Sequence, residues 1–285
     1  MSTLGKVNIL KNKVIFLMLL LSSTLTHAGE MGCEDAIKLA FKHFNLKSLF
    51  KTNGELNKSN IITRDCRVLP NDKNTLLLGV IYDIPDNPTS DDKKSIVVMV
   101  DIVSQKIVSS YQYTIYHDGT FCVPTYRLAL DLANYQLTPK IRAFGYRITN
   151  PGSCPACINS DDKLTLFVRE GKNIRPILVN LAMGINRTIG GCNGLNRAKD
   201  SYMEVDFLTL GVEKTKSHGY ADLLLKTKAN YAYSPVGNEK RSFPETQNEY
   251  YLLHYDGKQY RPVAQNQPWW VLLDANETVH HRDFR

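Results

Sequence analysis

The sequence predicts a mainly β chain of α+β class. Its antiparallel sheets form a sandwich or two small units, with one N-terminal helix and stabilising disulfides. Three observations carry this expectation. Short runs rich in Val, Ile, Leu and Tyr recur between turns containing Gly, Pro, Asn and Asp. Two stretches, 167–177 and 253–263, spell nearly the same hairpin: a strand, Glu170-Gly171-Lys172 or Asp256-Gly257-Lys258, and a return strand carrying Arg175-Pro176 or Arg261-Pro262. Glycine supplies the positive φ that such turns require, and each proline marks an edge strand or a strand end. All six cysteines, Cys33, Cys66, Cys122, Cys154, Cys157 and Cys192, lie beyond an N-terminal segment built like an export signal.

That segment places Lys6, Lys11 and Lys13 before the apolar run 14–21 and ends in small residues, so cleavage is expected between Ala28 and Gly29. The run is too short for a permanent membrane span. Export to the periplasm or the medium is the expected localisation. An even number of cysteines in an exported chain points to bridges, with Cys192 a candidate partner for Cys154 or Cys157. The Cys154-Pro155-Ala156-Cys157 spacing could also suggest a redox centre, but it sits in a turn-rich loop and not at a helix N-terminus. Loss of the signal would leave 32 basic side chains against 28 acidic ones, with no dense basic run. Nucleic acid is therefore not an expected partner.

The mature chain opens with a helix over 33–50, where Ala36, Ile37, Ala40, Phe41 and Phe44 recur at three- and four-residue spacing. Glu34 and Asp35 complement its N-terminus. After a polar loop over 51–60, strands are expected over 76–84, 95–103 and 106–116, the last with tyrosines on one face and polar residues on the other. Residues 126–135 fit a strand or a short helix. Further strands are expected over 141–149, 164–169, 174–181, 202–215, 220–228, 250–255 and 259–263. Residues 184–200 and 231–248 read as loops, and 274–285 as a flexible tail. The working division is a helix-plus-sheet part over 29–138 and a β-rich part over 139–273.

Chemistry is sparse. The chain contains no nucleophile-elbow, zinc-helix or phosphate-loop motif, and the sequence points to no metal, cofactor or catalytic set. His218, Asp222 and His254 could converge if their strands are neighbours, although a turn histidine and a strand-end aspartate are the plainer reading. Late tyrosines mixed with basic residues suit recognition of another protein. The candidate contact residues are Tyr231, Tyr233, Lys240, Arg241, Tyr251 and Tyr255. Alternation places Tyr251 and Tyr255 on one face of their strand and Tyr250 on the other. The leading expectation is an exported, soluble protein-binding module of the cell envelope, such as an inhibitor or immunity factor. Its rivals are an envelope hydrolase acting on glycan or peptidoglycan through carboxylates, and a structural component of a surface assembly.

Overall fold

A computed structural model describes residues 31–83, 92–115, 126–150, 160–189, 202–233 and 248–262. Helix α1 (Cys33–His43) buries Ala36, Ile37, Ala40 and Phe41, the stripe its spacing dictates. It stops well before residue 50. Asn45 takes a left-handed φ of 55°. The Leu46 and Asn45 amides then donate to the carbonyls of Phe41 and Lys42, at 2.9 and 3.1 Å. Those two bonds form a Schellman cap, and a short 3-10 turn follows over Lys47–Leu49. The Cys33–Cys66 disulfide ties the start of α1 to the first strand.

Among the described residues twelve strands follow, and they divide into four and eight. β1 (Ile61–Leu69), β2 (Asp72–Tyr82), β3 (Lys93–Asp101) and β4 (Lys106–Ile115) form an antiparallel meander. The nearly closed eight-stranded sheet comprises β5 (Arg127–Gln136), β6 (Arg142–Asn150), β7 (Ser160–Glu170), β8 (Asn173–Ile189), β9 (Tyr202–Ser217), β10 (Tyr220–Tyr233), β11 (Asn248–Tyr255) and β12 (Tyr260–Pro262). The two sheets touch edge to edge at one parallel bridge, Ser110 with Asn173. The Ser109 hydroxyl reinforces it by donating to the Gly171 carbonyl at 2.9 Å.

Strand alternation explains the layers. On β7, Leu164, Leu166 and Val168 join the core of the eight-stranded sheet, whereas Phe167 joins the core shared with the meander. Leu128, Leu130, Phe144 and Tyr146 meet Leu77, Ile81, Val97 and Met99 in that shared core. Each such side chain withdrawn from water contributes about 1.5–3 kcal/mol. The sheets approach so closely that a Cβ at Gly79 would lie 2.7 Å from the Tyr146 ring, so only glycine fits. α1 covers the other face of the meander, with the Phe41 ring 5.3 Å from that of Tyr82.

Several boundaries differ from the sequence reading. β1 emerges from residues the sequence did not single out, because it is an edge strand with an irregular polar pattern. Residues 127–136 are a strand, paired with β6. The expected loop at 184–200 begins as strand, since β8 continues to Ile189 against β9, and residues 231–233 likewise extend β10. The 138/139 division falls in the turn joining the paired strands β5 and β6. The signal segment, Cys122, Cys154, Cys157, Cys192, Lys240, Arg241 and the 274–285 tail lie outside the described residues. No helix among the described residues is long and apolar enough to cross a membrane.

Candidate functional site

The repeated hairpin motif is built as the sequence spells it. In the first copy Glu170 pairs with Asn173 across a turn in which Gly171 has a φ of 62°. In the second Tyr255 pairs with Tyr260 and Gly257 has a φ of 96°. In each copy the arginine of Arg-Pro reaches back to the acid five residues earlier. Arg175 Nε lies 2.9 Å from Glu170 Oε1, and Arg261 Nε lies 3.0 Å from Asp256 Oδ2.

The two copies also meet. Arg175 Nη1 donates to the Lys258 carbonyl at 2.5 Å, and Nη2 to the Tyr255 hydroxyl at 3.0 Å. One guanidinium therefore crosslinks both turns, and its planar fork is suited to the task. The Tyr255 ring stacks on Tyr220 with centroids 4.4 Å apart and packs against Tyr260 at 5.3 Å.

A third tip joins them. Ser217 pairs with Tyr220 around His218 and Gly219, whose φ values of 48° and 86° are those of a tight hairpin turn with two left-handed residues. His218 Nδ1 lies 2.8 Å from the Tyr255 carbonyl and fastens this turn to the second hairpin. Just behind it the β9–β10 register slips: Ala221 pairs with Lys216 but Leu223 with Val212. Residues 213–215 therefore bulge opposite Asp222, which is only 1% exposed.

Burial opposes ionisation of Asp222, but polar contacts from Thr215, His254 and Ser217 outweigh it and hold the carboxyl below its ordinary pKa. His254 Nδ1 lies 2.9 Å from Ser217 Oγ and 3.0 Å from Asp222 Oδ1. Asp222 Oδ1 itself accepts no well-directed hydrogen bond, so that second contact is electrostatic. Serine and carboxylate crowd the same ring nitrogen. A nucleophilic relay needs them on opposite nitrogens, so this cluster is not arranged as a Ser-His-Asp triad. Among the described residues no three His, Cys, Asp or Glu side chains gather around a metal position.

Of the sequence-derived contact residues, Tyr251 and Tyr255 do share a face, but it is the inner one. Tyr255 is 4% exposed and Tyr251 packs against the core, while Tyr250 stands out at 63%. Tyr231 and Tyr233 lie on β10 opposite Glu204 and Tyr202. The convergence raised for His218, Asp222 and His254 is met in part: Asp222 lies beside His254, whereas His218 bonds backbone, as the plainer reading of a turn histidine has it. Sequence reasoning missed Arg175 as a crosslink and Ser217 as a partner of His254. The repeated Arg-Pro was a usable signal for the first; nothing local marks the second. Comparison with protein families, curated proteins and solved structures finds no match to this chain.

Proposed function

We propose that this chain is an exported protein-binding module of the cell envelope, an inhibitor or immunity factor being its most concrete form, and that the three joined hairpin tips are its contact face. The observation that carries this reading is the Arg175 crosslink. Five residues from three hairpins (Glu170, Arg175, His218, Tyr255 and Lys258) are linked by hydrogen bonds of 2.5–3.0 Å. Turns preorganised in this way lose little freedom when a partner docks, which favours affinity.

The test is affinity capture with residues 29–285, made in an oxidising compartment, against envelope extract and secreted proteins. A stoichiometric partner should be retained by the parent and lost when Arg169, Lys258 and Arg261 become alanine. If those replacements leave capture intact while Tyr231→Ala with Tyr233→Ala abolishes it, the contact belongs to the far ends of β9 and β10, and the tip placement fails. A second reading, a hydrolase, is favoured by the buried Asp222 beside half-exposed His254. Turnover of cell-wall glycan that is lost in His254→Gln would support it over binding.

A further inference from the structure

The twin motif does more than fix two turns. In both copies its acid is consumed internally, Glu170 by Arg175 and Asp256 by Arg261, with N···O distances of 2.7 and 3.0 Å. The lysine beside each glycine has no such partner. Lys172 and Lys258 are exposed at the turn tips, and the third hairpin adds exposed Lys216 next to its own turn and exposed Lys214 in the bulge behind it. Among the described residues none of these four ammonium groups pairs with a carboxylate. With Arg169, which likewise pairs with no carboxylate among the described residues, five positive charges gather on one end of the eight-stranded sheet, against partly buried Glu213 and buried Asp222, whose partner His254 is charged only when protonated. We propose that this lysine face docks an acidic surface of a partner protein. The proposal rests on the protein-binding reading above and names the chemistry of the partner.

The same face argues against other polyanions. A sugar chain is usually held by exposed aromatic rings, but the tyrosines here stack on one another, and Tyr255 and Tyr260 are buried. A membrane surface would want an apolar wedge between the charges. Among the described residues the large exposed apolar or aromatic ones are Val68, Val103 and Tyr250, and none lies in a tip turn. Projecting turns whose backbones are held and whose lysine heads are free suit a facing carboxylate cluster, where opposite potentials steer encounter and fix orientation.

The experiment uses three probes on the mature chain at low salt: poly-L-glutamate, dextran sulfate and vesicles rich in phosphatidylglycerol. It compares the parent with Lys172→Glu/Lys258→Glu and with Arg64→Glu/Arg127→Glu, a control that carries the same charge change at exposed residues of β1 and β5, strands that contribute to none of the three tip turns. Poly-L-glutamate should bind the parent, weaken about tenfold or more in the tip variant, weaken about twofold or less in the control, and fade as salt shortens the screening length. Equal loss in both variants would mean diffuse charge and overturn the proposal. So would tip-dependent binding of dextran sulfate or vesicles without poly-L-glutamate, or no binding at all. A stoichiometric partner captured with unchanged affinity by the tip variant would defeat this inference while leaving the binding reading in place.

Discussion

The two copies of the hairpin motif share a sequence pattern and an internal ion pair, yet they are held by different forces. The second carries its own carboxylate cap. Asp256 has a short side chain, and its Oδ1 accepts the amides of both Lys258 and Gln259 at 2.7 Å. Glu170 is one methylene longer; its carboxylate turns to Arg175, and no bond to its own turn is formed. The first turn is instead held by Arg169, whose Nε donates to the Gly171 carbonyl at 3.1 Å, by Ser109 from the meander, and by the β7 and β8 strands that run into the core. The second has a return strand of only three residues, Tyr260–Pro262. A short hairpin needs its local cap; a long, buried one does not.

The largest effect should come from breaking the link between the copies. Arg175→Ala leaves Glu170, the Tyr255 hydroxyl and the Lys258 carbonyl without their donor. It should cost about 2–3 kcal/mol in urea unfolding. Arg175→Lys should recover only part of this, because an ammonium cannot bridge all three partners. A loss below about 1 kcal/mol in the alanine variant would show that the copies stand independently.

Alanine at the two glycines separates the turns themselves. Gly171 sits near the centre of the left-handed region at φ 62°, so alanine should cost about 1 kcal/mol there. Gly257, at φ 96°, lies beyond it, and alanine should cost about 2 kcal/mol. Equal thermal shifts would contradict this ordering.

A smaller effect distinguishes the caps by pH. For Asp256 burial works against the charge, but the Gln259 and Lys258 amides and the Arg261 guanidinium prevail and pull its pKa from 3.8 to about 2. A carboxyl with a depressed folded pKa stabilises the fold above 3.8, and that contribution disappears as pH falls towards 2. Asp256→Asn should therefore lower stability at pH 6 by about 1 kcal/mol and flatten the dependence between pH 4 and 2. An unchanged slope in urea titrations across that window would remove Asp256 as the local cap. Smallest of all, Lys172→Ala and Lys258→Ala should each shift stability by less than about 0.5 kcal/mol, since neither ammonium has a partner among the described residues. A larger loss would give those lysines a structural role and weaken the docking proposal.

The candidate site was partly legible because some of its chemistry is local. Glycine at a positive φ and the acid before it announce the turns, and period-two alternation correctly separated Tyr250 from Tyr251 and Tyr255. Alternation cannot say which face is inside; that depends on which neighbouring layer arrives to cover it. Of the aromatic pair assigned to the surface, Tyr255 is therefore core and Tyr251 half-buried against it. The Asp222–His254 contact spans β10 and β11, and its third member, Ser217, depends on the register slip after Ala221. No sequence periodicity reports such a slip.

By itself, then, the sequence determined the β class, the N-terminal helix, most strands and both motif turns, because these depend on propensities and periodicities within a few residues. It also set the αL residue that ends α1, although the apolar stripe continues to Phe44. Tertiary structure decided that Cys33 joins Cys66, that β5 to β7 serve two cores at once, and that Arg175 reaches a turn 83 residues away. Those outcomes depend on which surfaces can be buried together and which charges then come within reach, and a linear pattern holds neither quantity.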